Sequence, residues 1–304
     1  MRWYELLDEK LQAYLPDLSV TAEEPLSRHT SFRIGGPARR MAFPQNAEQL
    51  VLLLSFAREY GARPFVLGNG TNVLFPDGGV DRLIVNTCDM AEIAPAGGGR
   101  IKAYSGASLA RVANFACRQG LTGLEFAHGI PGSVGGGVCM NAGAYGGELC
   151  QVIESVGVLF PDEGVKAVPC AEMDFGYRRS MLMAHPDAVV LYAVFALQTD
   201  DSAAIRRRMD DLMARRKASQ PLEYPSAGST FKRPEGHFAG RLIEEAGCKG
   251  LSIGGAQVSE KHAGFVINTG GATCADVLAL MEEVQRRVKA ASGVTLEPEV
   301  RVVR

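Results

Sequence analysis

Apolar side chains at helical spacing open the chain: Leu6, Leu7, Leu11, Tyr14 and Leu15 share one face, and Pro16 ends the run. Residues 28–38 read as a polar strand ending in a turn at Gly35-Gly36-Pro37. Asn46 caps a helix over residues 50–60, with Gln49 placed as in a capping box and Gly61 just past the end. Phe65-Val66-Leu67 is a short buried strand that runs into Gly68-Asn69-Gly70-Thr71-Asn72, and residues 73–79 read as strand and turn. Ser108 then begins a second helical pattern through Leu109, Val112, Ala113 and Ala116, Gly120 ends it, and residues 121–127 lead into a second glycine-rich stretch. Helix, glycine stop, apolar segment and glycine loop thus occur twice in the same order. That repetition predicts two α+β lobes, each turning a glycine loop to a shared cleft suited to a ligand with a pyrophosphate and a wide ring.

Further on, residues 152–160 and 188–197 are apolar runs that read as strands of the second lobe. Arginines and acids crowd residues 200–217 around a helical stripe of Ile205, Met209, Leu212 and Met213, and a last domain begins there. It holds strand-like runs at 251–258 and 264–268, separated by the polar turn 259–262. A helix follows over 274–291, with Val277, Leu280, Met281, Val284 and Val288 on its core face. The division expected is residues 1–88 and 89–200 for the two lobes and 201–304 for the last domain.

Composition narrows the class. A chain of 304 residues, 46% hydrophobic and 22% charged, is long enough for about two domains with a sizeable core. The net charge of -2, without long runs of either sign, gives no reason to expect nucleic acid or a membrane surface as partner. The amino terminus carries too many charges for a signal peptide, and no apolar run is long enough to span a bilayer. Seven cysteines, none in a Cys-x-x-Cys pair, read as buried free thiols rather than disulfides or metal ligands. A cytoplasmic protein without a metal is the expectation.

The densest chemistry lies at residues 129–148, where glycines are scattered among Val134, Val138, Met140 and Tyr145. Glycine costs backbone entropy, so such density calls for close approach of the backbone to something. Either a glycine-rich turn between core strands or a loop wrapped against a large flat phosphorylated ligand answers that, and the second explains more, since successive N–H groups can line an anion site. The earlier loop fails the Gly-x-Gly-x-x-Gly dinucleotide fingerprint because Val73 stands at the last position, and no helix pattern follows it. Gly68 to Asn72 can still hold a phosphate. Ser229-Thr230-Phe231-Lys232 fits the Ser-x-x-Lys pattern of serine β-lactamases, but its Ser-Asp-Asn and Lys-Thr-Gly companions are missing downstream.

Six blocks in order resemble one family. They are Leu67-Gly68-Asn69-Gly70-Thr71-Asn72-Val73-Leu74, Ile130-Pro131-Gly132-Ser133-Val134-Gly135, Asn141-Ala142-Gly143-Ala144-Tyr145-Gly146, Phe175-Gly176-Tyr177-Arg178-Arg179-Ser180, Ala227-Gly228-Ser229-Thr230-Phe231-Lys232 and Leu296-Glu297-Pro298-Glu299-Val300. Across nearly its whole length the chain resembles UDP-N-acetylenolpyruvoylglucosamine reductases, flavoenzymes of peptidoglycan precursor synthesis. The resemblance implies an α+β fold: a two-lobed FAD-binding domain of the p-cresol methylhydroxylase-like type and a C-terminal α+β substrate domain. It implies non-covalent FAD, NADPH as hydride donor, a UDP-sugar nucleotide substrate and a monomer. FAD contacts are implied at Gly68, Asn69, Gly70, Thr71 and Asn72, at Pro131, Gly132, Ser133, Gly135 and Gly136, and at Asn141, Gly143, Ala144 and Tyr145. Substrate contacts are implied at Tyr177 and Lys232. The short link from Arg178 to Ser229 resembles the compact type, which lacks an extra tyrosine-bearing loop.

The chemistry required agrees with these residues. Reducing an enol ether conjugated to a carboxylate needs a cation at the carboxylate, a proton source at the neighbouring carbon and a flavin opposite. Arg178 offers a planar fork for the carboxylate, with Arg179 turned to solvent. The family motif makes Ser229 the proton donor, relayed through Lys232 or water, with Ser226 the nearest alternative. It makes Glu299 the catalytic glutamate. Strand alternation alone does not choose between Glu299 and Glu297, which is left to pair structurally, with Arg301 one candidate partner. His128, beside the glycine stretch, is expected to support the site from behind. A binding protein that kept the flavin fold and an FAD oxidase using oxygen are the rival readings.

Overall fold

The computed structural model describes residues 2–303. By its internal contacts the chain forms two compact units interleaved in sequence. The first takes residues up to Thr21, Arg40–Asn69 and Arg82–Arg215; the second takes Ala22–Arg39, Gly70–Asp81 and everything from Arg216.

In the first unit, α1 (Trp3–Tyr14) and α2 (Ala47–Glu59) bury Leu7, Leu11, Leu50 and Leu53 in one core with Leu83, Val85 and Leu191. The Asn46 side chain accepts from the Gln49 N–H at 2.9 Å, and Gly61 adopts φ +66° just after the helix. A parallel pair follows, with Phe65–Leu67 running beside Ile84 to Asn86. The second core lies on a five-stranded antiparallel sheet in the order Gly164–Pro169, Ile153–Phe160, Val189–Ala196, Arg100–Tyr104, Ile93–Gly97. Onto it pack α3 (Leu109–Arg118), capped by the Ser108 hydroxyl and ended by Gly120 at φ +65°, and α4 (Val134–Cys139). Through Ile205 and Met209, α5 (Ser202–Ser219) joins the same core, while Leu212 and Met213 of the expected stripe are half-buried. The repeated order of helix, glycine stop and apolar segment is therefore present in α2 and α3.

In the second unit, a four-stranded antiparallel sheet runs in the order Ser226–Ser229, Phe265–Asn268, Ala256–Val258, Ser252–Ile253. Two helices pack with it, α6 (Ala239–Glu245) and α7 (Cys274–Ser292). The expected face of α7 is the core face: Val277, Leu280, Val284 and Val288 are fully buried together with Phe32, Ile34 and Leu74. Its amino end is closed by a Thr273–Asp276 capping box and by Asp77, which accepts the Cys274 N–H at 2.8 Å.

Four expectations are corrected. Residues 28–38 are not a strand: the Thr30 hydroxyl donates to the Ile34 carbonyl, and Arg33 and Gly35 take φ of +56° and +136°. Such local side-chain-to-backbone bonding competes with a ladder, and the strand here is Pro37–Phe43. Residues 251–258 are two short strands folded on a turn at Gly254 and Gly255, because Gly254 adopts φ +52°. Residues 129–148 are not simply a loop but contain α4 and a tight hairpin. Finally, four of the seven free cysteines are only half-buried.

Candidate active site

The glycine-rich stretch in the first unit owes its shape to two-sided crowding. The Val134 and Gly135 N–H groups donate to the Ala107 and Ser105 carbonyls at 2.8 Å each, and the Leu109 N–H donates to the Gly132 carbonyl at 3.0 Å. These donors are therefore spent on the protein, and α4 is drawn against the turn before α3. A Cβ on Gly135 would sit 3.1 Å from the Ser105 Cβ, and one on Gly68 only 2.0 Å from the Ser133 hydroxyl. Ser133 caps α4 by accepting the Gly136 N–H at 3.4 Å. Asn69 ties the earlier glycine loop on, donating from Nδ2 to the Pro131 carbonyl at 2.9 Å. Pro131 and Gly136 remain exposed, Gly132 half so.

Beyond α4, Asn141 is the joint of the stretch. It is fully buried at φ +42°, donates to Glu148 and to the Gly176 carbonyl at 3.0 and 3.1 Å, and accepts the Cys150 N–H at 3.0 Å. The amide expected to meet a cofactor thus holds two backbone segments together. The hairpin Gly143-Ala144 to Gly147-Glu148 turns on Tyr145 and Gly146, both at positive φ (+55° and +85°), as a primed two-residue turn requires. Tyr145 is 39% exposed, with the Arg215 guanidinium 5.1 Å from its ring centre.

Arg178 lies on the turn anchored by Asn141. Gly176 and Arg179 exchange backbone hydrogen bonds at 3.0 and 3.1 Å, which puts Tyr177 and Arg178 at the tip, Arg178 at φ +53°. Its guanidinium stacks on the Tyr177 ring at 5.1 Å. Ser180 braces the turn from below, donating to the Cys139 carbonyl at 2.8 Å. Arg179 is exposed, as expected, and pairs with Asp174 at 3.0 Å. His128 is held by Asn114, whose amide nitrogen lies 3.2 Å from Nδ1 and whose oxygen accepts from Arg206. Burial and the Arg206 charge push the imidazole below its ordinary range, so it stays neutral at neutral pH.

Sequence reasoning missed Ser105. Its hydroxyl is fully buried beside Gly135 and, among the described residues, has no hydrogen-bond partner. The one signal in the sequence is a small polar residue between an alternating strand and the Ser108 cap. A flavin nucleotide fits what this unit offers: backbone without Cβ at Gly132 and Gly136, an accessible Tyr145 ring and a buried hydroxyl with unused capacity.

The second unit carries the other half of the expected set. Gly70, at φ +61°, passes so close to His29 that a Cβ would meet its carbonyl oxygen at 2.0 Å. Thr71 is half-buried. Asn72 donates to the Glu299 carbonyl at 3.2 Å and accepts the Arg301 N–H at 3.0 Å, so it fixes the end of the chain. Residues 230–232 and 297–299 run antiparallel, with Phe231 opposite Pro298, the Lys232 N–H on the Glu297 carbonyl and the Glu299 N–H on the Thr230 carbonyl, both at 2.8 Å. That ladder brings together Ser229, Lys232, Glu297 and Glu299, which are far apart in sequence. Lys232 Nζ lies 3.1 Å from Glu297 Oε2, so the ion partner of Glu297 is Lys232. The Ser226 hydroxyl accepts the Gly228 N–H at 3.4 Å and is occupied in its own turn, whereas among the described residues the half-buried Ser229 hydroxyl has no partner. Also among the described residues, no helix is long and apolar enough to cross a membrane.

Two family models match the chain. Residues 38–168 match one described as an FAD binding domain, and residues 220–303 match the C-terminal domain of UDP-N-acetylenolpyruvoylglucosamine reductase. A reductase of that name from Caldanaerobacter subterraneus subsp. tengcongensis is 47% identical over 299 residues, covering 98% of both chains. One from Clostridium novyi is 48% identical over 297 residues, 98% of this chain and 96% of its own. The crystal structure of the Thermus caldophilus reductase superposes with a TM-score of 0.81 at 36% identity, over 94% of this chain and all of that one.

Proposed function

The chain belongs to the UDP-N-acetylenolpyruvoylglucosamine reductase family, an FAD-dependent oxidoreductase family, and from that premise we propose how its own residues carry the reaction. The substrate is the enolpyruvyl ether of UDP-N-acetylglucosamine, the product UDP-N-acetylmuramate and the hydride donor NADPH. FAD, when bound, would supply the hydride chemistry that the reduction of the enol ether needs. Gly132, Gly135 and Gly136, with Pro131, Ser133, Gly68 and Asn69, form the first unit's backbone surface for the cofactor; Gly70, Thr71 and Asn72 are the contacts the second unit contributes. Gly143, Ala144 and Tyr145 complete the first unit's surface, on a stretch that Asn141 ties to the Gly176 carbonyl and the Cys150 N–H. Arg178 binds the substrate carboxylate, where negative charge develops as hydride arrives. Ser229 gives its proton to the adjacent carbon, and Glu299 supports that transfer. Tyr177 and Lys232 contact the substrate. In this reading residues 1–88 and 89–200 serve the flavin in the p-cresol methylhydroxylase-like manner and 201–304 the sugar nucleotide, in a cytoplasmic monomer.

The observation that carries the reading is the ladder of 230–232 with 297–299, which sets the half-buried Ser229 hydroxyl and Glu299 on adjoining backbone. Anaerobic stopped-flow absorbance tests it. Ser229→Ala is expected to leave flavin reduction by NADPH nearly intact, because that step takes no proton from serine. Reoxidation by the enolpyruvyl sugar nucleotide should slow by about 10²-fold or more. Equal losses in both half-reactions would assign Ser229 a structural role.

A further inference from the structure

Beside Ser229, Thr230 has every backbone and side-chain polar atom engaged, although the chemistry above gives it no part. It is 5% exposed. Its N–H donates to the Gly264 carbonyl at 2.9 Å, its hydroxyl accepts the Val266 N–H at 2.9 Å, and its carbonyl accepts the Glu299 N–H at 2.8 Å. Two of these bonds run to the Phe265–Asn268 strand and the residue just before it, and one to the terminal segment on the other side. Thr230 is thus the rivet between the segment bearing Ser229 and the segment bearing Glu299.

The strand pairing slips just before this point. Ser226 lies opposite Ile267 but Ser229 lies opposite Phe265, so the Ser226–Ser229 strand carries one extra residue. Gly228 takes up the excess at φ +75°, and the Ser226 hydroxyl holds its N–H. A bulge bends the strand and re-aims the side chain that follows it. Here that side chain is Ser229, and the next fixed point is the Thr230 hydroxyl on Val266. Losing that anchor frees the strand to share its extra residue differently, and a one-residue slip turns a side chain to the opposite face.

We infer that Thr230 is the positioning residue of this site: its hydroxyl locks the register after the bulge and so aims Ser229, while its carbonyl holds Glu299 in fixed relation to it. The inference rests on the proton-donor reading of Ser229. Thr230 itself is buried and acts only through its neighbours.

The test uses the FAD-loaded enzyme and three variants. Thr230→Val keeps the volume and removes the hydroxyl; Thr230→Ser keeps the hydroxyl. Gly228→Ala adds a Cβ that meets open space but loads the bulge through its positive φ. Thr230→Val is expected to retain FAD and normal flavin reduction by NADPH. Its reoxidation should fall by about 10- to 100-fold, the scale of loss when reacting groups are misplaced by an ångström, chiefly in kcat rather than KM. Amide hydrogen exchange in the peptide covering 264–268 should rise in parallel, a readout independent of turnover. Thr230→Ser should restore both, and Gly228→Ala should show the same selective slowing even if Thr230→Val fails to fold. Normal reoxidation in Thr230→Val or in Gly228→Ala overturns the inference, as does equal loss in both half-reactions with loss of FAD. If those variants behave normally while Ser229→Ala is slow, only the role of Thr230 fails. If Ser229→Ala itself reoxidises normally, the proton-donor reading fails and this inference with it.

Discussion

Glu297 and Glu299 stand two residues apart in different surroundings. The Glu297 side chain is 72% exposed and paired with Lys232, while Glu299 is half-buried, with its N–H on Thr230 and its carbonyl on Asn72. Glu299→Gln keeps shape and those backbone bonds, so it should fold and hold FAD yet slow flavin reoxidation by at least about 10²-fold. Glu297→Gln breaks only an exposed pair, whose worth is about 0–1 kcal/mol, and should leave turnover near normal and the melting temperature little changed. Stopped-flow rates and thermal melts of the two variants decide; exchanged behaviours would make Glu297 the reacting group. Strand alternation in the sequence did not separate the two acids, because it puts residues two apart on one face; only the family motif singled out Glu299. Their partners, Lys232 and Thr230, arrive from a distant segment.

At the scale of elements, α7 shows what a helix reads from its own sequence. Its core face was legible in the sequence, and the Thr273–Asp276 cap and Gly293 stop that the structure adds are equally local, each set within a few residues. So is its charge pattern: Glu283 accepts from Arg286 at 2.8 Å and Arg287 at 2.7 Å, and these two hold its carboxyl down from 4.5 to about 2. A carboxyl lowered by folding contributes stability that is present above its unfolded value and lost as pH falls through the folded one. The window is therefore pH 4.5 down to about 2. Glu283→Gln should flatten the melting temperature against pH across that window and nowhere above it, with a smaller difference in high salt because the group is exposed. An unchanged acid limb would show that the arginines do not stabilise the folded carboxylate. The stretch at 129–148 behaved differently. Its glycine density announced close approach, but the partners proved to be Ser105, Ala107 and Ser133, so part of that density serves backbone meeting backbone.

The two units of the whole molecule are interleaved, and the second draws on three separate stretches of chain. Phe32, Ile34 and Leu74, each at most 3% exposed, fill the same core as α6, α7 and the sheet. A fragment starting at Arg216 therefore lacks part of its own core, and large apolar losses there cost about 2–5 kcal/mol per side chain. Expressed alone it should show no cooperative thermal unfolding by circular dichroism; a sharp transition would mean that the unit needs neither early stretch. Sequence by itself determined α1, α2, α3, α5 and α7 with the Asn46 and Ser108 caps, the strands of the five-stranded sheet's centre and the six blocks that mark the family, because caps, periodicity and motif chemistry are local. The tertiary structure decided what residues 28–38 become, where the Asn72 and Asn141 amides are spent, and that Ser105 carries a buried hydroxyl without a partner among the described residues. It also decided that one bulge and one threonine join Ser229 to Glu299. These depend on which distant backbone comes within hydrogen-bonding reach, a property of the packed chain that no local spacing encodes.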